Sequence, residues 1–222
     1  MRNSINLNLH LMNADKQLKP HLREIKKIME PLLKQLRSLL PLRDSVDIIV
    51  YRYHTNEKAF AVSGYCPTGN TLWIYTDPSF KSYRKLLEQQ LPRTLVHEMH
   101  HIARWQGPGY GSTLLEAMVS EGLAGHFETE VLGGKPSRFY VKFTKGEIQK
   151  LLIRARKEFN KRTYNHSDWF FGNKKLKIPR HAGYGLGYYL TADMVRKEGA
   201  GKLAQVRVGQ IVQGSVSSAG KV

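Results

Sequence analysis

The sequence predicts an α+β fold: a small N-terminal mixed sheet followed by a largely helical remainder. Three observations carry this expectation. Apolar/polar alternation is confined to the first 76 positions, helical periodicity dominates after them, and no Gly/Ser linker or internal repeat divides the 222 residues. A chain of this length can bury a sizeable core, so residues 1–198 read as one domain and 199–222 as a tail.

The first element is the run Ile5-Asn6-Leu7-Asn8-Leu9-His10-Leu11, whose alternation marks a half-buried strand. An amphipathic helix follows from about Pro20 to Leu40, then a second strand from Val46 to Tyr51. Ala59 to Tyr65 and Thr71 to Thr76 are two short strand candidates around the turn Pro67-Thr68-Gly69-Asn70. If the strand Thr71 to Thr76 lies at the sheet edge, an extended peptide can add to it through backbone hydrogen bonds. A plain covered edge is the alternative.

Pro92 then starts a helix, or kinks a longer one that began near Phe80, and Gln106-Gly107-Pro108-Gly109 stops it. Thr113 to about Val131 is the next helix, opened by the capping box Thr113-x-x-Glu116 and closed by Gly133-Gly134. Glu147 to Arg162 reads as a solvated amphipathic helix, and a last helix runs from Arg180 to about Lys197. After Gly199 the chain turns to Gly, Ala, Ser, Val and Gln without a clear period, which predicts weak order.

The most specific stretch is His97-Glu98-Met99-His100-His101. Residues four apart on a helix share a face, so His97 and His101 can both direct an imidazole nitrogen at one zinc ion. Glu98 is rotated by about 100° from His97, the position of a base for bound water and not of a ligand. Leu95, Val96, Met99, Ile102 and Ala103 place the motif in an apolar helical setting. The plain alternative is two core histidines one turn apart, each of which would need its own polar partner. His100 faces elsewhere.

A catalytic zinc ordinarily takes three side chains and leaves a fourth position for water. Glu121 is the best candidate for the third. Leu114, Ala117, Met118, Glu121, Ala124 and Gly125 fall on one stripe of the following helix, so this carboxylate sits among small and apolar groups and must be paired or metal-bound. Glu128, two turns on, is the reserve, and a buried salt bridge at Glu121 is the alternative.

These residues resemble a known arrangement. His97-Glu98-x-x-His101, with nineteen residues before Glu121, resembles the gluzincin metallopeptidases, thermolysin among them. More closely, Leu91-Pro92-Arg93-Thr94-Leu95, Arg104-Trp105-Gln106-Gly107-Pro108-Gly109-Tyr110, Leu115-Glu116-Ala117-Met118-Val119-Ser120-Glu121-Gly122-Leu123-Ala124 and Gly183-Tyr184-Gly185-Leu186-Gly187-Tyr188 are similar to an uncharacterised bacterial family of predicted zinc-dependent proteases. The likeness runs from about Ile5 to Val195. It implies a zincin-like fold, Zn2+ as cofactor, His97, His101 and Glu121 as ligands and Glu98 as the catalytic carboxylate. It also implies that a Tyr or His from a later segment donates to the oxyanion, for which His181, Tyr184 and Tyr188 are the candidates. Tight packing of a glycine-rich core helix is the alternative role for that segment. One departure stands out. Thermolysin-like enzymes often carry an acidic residue four positions after the glutamate ligand to orient a histidine, and here that position is Gly125.

Composition bounds the rest. The formal charge is +17, and between Lys135 and Arg180 fourteen Lys/Arg face only Glu147, Glu158 and Asp168. Such a surface attracts acidic protein segments, nucleic acid or anionic membrane. A nucleic-acid-binding protein with a structural zinc is therefore one competing reading, although no recognised nucleic-acid motif accompanies the charge. An inactive scaffold on the same fold is another. The lone Cys66 excludes an internal disulfide framework, Met1-Arg2-Asn3-Ser4 leads into no apolar leader segment, and no stretch spans a bilayer, so a cytoplasmic location is expected. Hydrolysis of a peptide or protein substrate, acidic ones included, is the expected reaction.

Overall fold

The computed structural model describes residues 5–54 and 60–212, so Ala59, the Met1–Ser4 leader reading and 213–222 of the expected tail lie outside the described residues. The fold is α+β. It divides into two compact units, one ending at Gln106 and one beginning at Gly107.

The first unit holds strands β1 (Leu7–Leu11), β2 (Val46–Arg52), β3 (Val62–Thr68) and β4 (Thr71–Thr76), with helices α1 (Leu22–Leu39) and α2 (Tyr83–Trp105). The sheet order is β1-β2-β4-β3, with β1, β2 and β4 parallel and β3 antiparallel to β4. Alternate residues decide its two faces. Val46, Ile48 and Val50 of β2 and Leu72, Ile74 and Thr76 of β4 are buried. Between them, Tyr51, Trp73 and Tyr75 stack edge-to-face on the other side, where Trp73 also meets Tyr65.

Strand β4 corrects one expectation. It lies between β2 and β3, so both of its backbone edges are already hydrogen-bonded and it cannot take up an extended ligand. The edge next to α2 belongs to β3. A short turn through Gly69 reverses the chain after β3, and β4 must then fill the slot beside parallel β2.

Helix α2 is one helix with Pro92 inside it, not a helix that starts there. The proline cannot donate to the carbonyl one turn back, yet Leu87, Leu91, Leu95, Met99 and Ile102 are all buried along the same helix. Each such side chain contributes about 1.5–3 kcal/mol by burial, which outweighs one lost backbone bond. The Gln90 side-chain oxygen accepts from the Ala61 and Val62 amides at 2.9 and 3.0 Å and so fixes α2 to the start of β3. At the far end Gln106 accepts from the Arg43 amide at 2.7 Å and donates to the Gly69 carbonyl at 2.6 Å. The helix stop is thus tied to the β3–β4 turn.

The second unit contains α3 (Leu114–Leu132), α4 (Arg138–Val141), α5 (Lys145–Ala155), α6 (His166–Phe170), α7 (Ala182–Glu198), α8 (Ala200–Leu203) and α9 (Val208–Ile211). Thr113 and Glu116 form the expected capping box, and Gly133 closes α3 at a φ of 69°. Helix α5 begins two residues before the expected Glu147–Arg162 helix, where Thr144 caps it through a second box with Glu147, and it ends earlier, at Ala155. Of the expected tail, residues 200–212 instead carry α8 and α9. Ala200, Leu203, Ala204, Ile211 and Val212 are buried there, enough apolar surface to order a segment that lacks helical periodicity. No helix among the described residues is long and apolar enough to cross a membrane.

Helices α3 and α7 meet backbone to backbone. A Cβ on Gly187 would lie 1.8 Å from the Met118 carbonyl oxygen, and one on Gly122 2.2 Å from the Gly187 carbonyl. Only glycine permits that approach. Farther along the same pair, His126 stacks on Tyr188 with ring centroids 3.6 Å apart and donates from Nε2 to the Tyr188 carbonyl at 2.9 Å. Burial holds the His126 pKa below its ordinary 6.5 despite that bond.

Two predictions follow from this contact. Gly187→Ala should destabilise the protein in urea by about 2–4 kcal/mol, since the clash is with backbone that cannot rotate away. Gly146→Ala, with nothing within 4 Å of its Cβ, should be neutral or stabilising by about 0.5 kcal/mol. Equal effects would refute the close-contact account. For His126 the unfolded chain takes a proton near pH 6.5 while the native state does so only at lower pH, so stability falls as pH drops through that window. Metal-free His126→Gln should show a shallower loss of thermal midpoint between about pH 7 and about pH 5 than wild type. An unchanged slope would count against it.

Candidate metal centre

Helix α2 presents the motif from the middle of its length, where both ends are anchored. His97 and His101 lie one turn apart with their rings at 86° and centroids 4.6 Å apart, and their Nε2 atoms are 2.9 Å from each other. At that distance one neutral ring can donate its Nε2–H to the other Nε2. Two nitrogens bound to one tetrahedral zinc at 2.0–2.1 Å would stand about 3.3 Å apart, so both rings are also within reach of one shared cation. His101 is 4% exposed, His97 is half-buried, and His100 is fully buried away from the pair. Glu98 is half-buried beside β3, where the Cys66 thiol lies 3.2 Å from its Oε2.

In the second unit Glu121 is 7% exposed, as its stripe on α3 required. The Tyr110 hydroxyl donates to its Oε1 at 2.7 Å, and the Ser120 hydroxyl holds the Tyr110 carbonyl at 2.6 Å. Burial, then the Glu121 charge, raises the Tyr110 phenol well above its usual value. Burial, and then the same carboxylate, raise Tyr164, and that carboxylate partly offsets the burial that lowers His166. Glu128, the reserve candidate, accepts from Tyr140 at 3.1 Å and Ser137 at 3.3 Å. Gly125 has its own reason to be glycine, because a Cβ there would lie 2.4 Å from the Tyr140 ring. Where thermolysin-like enzymes often place an acid, this chain places an aromatic ring.

The three later candidates sit on or beside the start of α7 but in different surroundings. His181 adopts a φ of 71° and lines a cavity of about 540 Å³ with Arg138, Phe139, Lys142, Phe143 and Glu147. Burial and the Lys142 and Arg180 charges lower its pKa. Tyr184 packs between Phe139, Tyr140 and Phe170, and it adds a small electrostatic contribution to the Tyr110 and Tyr140 phenols, which burial and then neighbouring carboxylates raise. Tyr188 is stacked on His126 and Tyr140. Tyr184 is therefore the one of the three in the electrostatic neighbourhood of the Glu121–Tyr110 pair. Part of the basic segment also has local work. Lys142 donates to the Arg180 carbonyl, and Arg154 to that of Leu176.

Sequence reasoning missed Tyr110 and His166. Tyr110 follows the helix stop Gln106-Gly107-Pro108-Gly109 and enters the sequence reading only as the end of a family-like segment. A phenol placed shortly before a buried acid was the available signal. His166 is brought near Glu121 by tertiary packing and had none.

The family described as "Predicted Zn-dependent protease (DUF2268)" matches residues 25–210. No curated protein and no solved structure matches the chain. With the family match spanning both the His-Glu-x-x-His helix and the glutamate helix, the chain belongs to this family of predicted Zn-dependent proteases.

Proposed function

We propose that the protein is a zinc-dependent peptidase of gluzincin type on a zincin-like fold, with zinc held by His97, His101 and Glu121. The observation that carries the reading is the paired imidazoles of α2, whose Nε2 atoms approach to 2.9 Å with a glutamate at the next position after His97. Each of the two histidines and Glu121 has one ligand atom to offer, and nitrogen with carboxylate oxygen suits zinc. Membership of the family supports both the metal and the reaction class.

Zinc, when bound, supplies a water of lowered pKa and polarises the carbonyl to be attacked. Glu98 accepts the water's proton and delivers it to the leaving amine. Tyr110 orients the Glu121 carboxylate, which would hold the metal, by its hydrogen bond to Oε1. Tyr184 is the favoured donor to the oxyanion, and His181 is the alternative at the cavity that it lines with Arg138 and Lys142. Those cations suit peptides carrying acidic side chains.

Purified protein should carry one zinc per chain. Glu121→Ala should lose it more readily than Glu128→Ala or Glu116→Ala, and Tyr110→Phe should weaken zinc binding by about tenfold to a hundredfold. Depletion in Glu128→Ala instead would reassign the ligand. Glu98→Gln should keep fold and zinc while cleavage of a library-selected peptide drops by a hundredfold or more, roughly the scale of general acid–base groups. Equal turnover at equal zinc content would refute the proton-transfer role.

A further inference from the structure

Strand β3 offers α2 a notch at one place. Gly64 and Cys66 are alternate residues on the face of β3 that turns toward α2, and the middle of α2 lies against them. A Cβ on Gly64 would stand 2.5 Å from Glu98 Cγ, 3.0 Å from Glu98 Cδ and 2.9 Å from Thr94 Cγ2. The Glu98 stem thus occupies the space that any other residue at 64 would fill. Two positions on, the Cys66 sulfur lies 3.2 Å from Glu98 Oε2 and 3.2 Å from the Glu98 carbonyl oxygen. Cys66 is 7% exposed and is the chain's only cysteine, so no disulfide accounts for it.

We propose that Gly64 and Cys66 are positioning residues for Glu98. Gly64 leaves the notch that receives the glutamate stem, and the Cys66 thiol donates to Oε2, so that Oε1 is the oxygen presented for proton transfer. This rests on Glu98 being the proton-accepting group. A glutamate has three side-chain torsions, and an unrestrained carboxylate would spend most of its time away from a productive pose. The notch limits the first two torsions by contact and the thiol limits the third by a hydrogen bond. Sulfur is a weak donor, which suits the task. It orients the carboxylate without competing strongly for the proton that Glu98 must take and release.

The experiment compares Gly64→Ala, Cys66→Ala and Cys66→Ser with wild type for zinc content, unfolding midpoint, and kcat and KM on one cleavable peptide. Cys66→Ala should lower kcat by about tenfold with KM nearly unchanged, the scale on which small misplacements of reacting groups are felt. Cys66→Ser, which keeps a donor, should recover most of that loss. Gly64→Ala should lose more, with zinc retained. A second arm needs no turnover. In zinc-free protein the hydrogen bond to Oε2 holds the Cys66 thiol against Glu98, so Glu98→Gln, which replaces that carboxylate acceptor, should loosen the hold and speed the reaction of the thiol with a small aromatic disulfide several-fold. Wild-type kcat in Cys66→Ala, or equal losses in the Ala and Ser variants that track the unfolding midpoint, would overturn the proposal, as would an unchanged thiol rate. A faster thiol in Glu98→Gln together with no turnover by wild type would keep the contact and remove the catalytic reading of Glu98.

Discussion

The middle of α2 carries His97, Glu98 and His101 on a helix packed against a sheet, a place where apolar side chains ordinarily stand. That arrangement is tolerable only if every polar group there has a destination, because an unpartnered buried imidazole or carboxylate costs several kcal/mol, roughly the margin of stability of a whole domain. The helix around it is built to hold this one segment still. Gln90 ties its first half to β3, Gln106 ties its end to the β3–β4 turn, and five large apolar residues anchor it between.

The second unit meets a similar demand by different means. Its buried carboxylate is fixed by a phenol from the loop before α3, and its helix pair approaches so closely that glycine is needed on both partners. Close backbone contact leaves little freedom for either helix to slide, so residues on α7 such as Tyr184 inherit their position from Gly122 and Gly187. The Tyr140 ring, part of an aromatic cluster with Phe139 and Tyr184, fills the space that a side chain at position 125 would have claimed.

Glu98 is restrained from both sides: by its own helix and by an edge strand that turns a glycine and a thiol toward it. The position of β3 at the sheet edge therefore matters for a reason other than peptide pairing.

Much of this was legible in the residues alone. Local rules set the elements: alternation marks β1, β2 and β4, the Thr113/Glu116 box and Gly133 bracket α3, and the four-residue spacing of His97 and His101 puts their nitrogens together, because helix geometry fixes which side chains share a face. A lone carboxylate on an apolar stripe likewise announced that Glu121 is buried. Strand order was not legible. Placing β4 inside the sheet and β3 at its edge depends on long-range pairing, which no local periodicity encodes. Nor was the order in residues 200–212, whose small apolar side chains have no period of their own and become helical only because the rest of the unit offers them a surface to cover. Tyr110 beside Glu121 and Cys66 beside Glu98 belong to the same class, since contacts between segments eleven and thirty-two residues apart are decided by packing. The sequence by itself determined the local elements and the helix face that His97 and His101 share; the tertiary structure decided what surrounds them, because local geometry is a property of neighbours along the chain and a site is a property of neighbours in space.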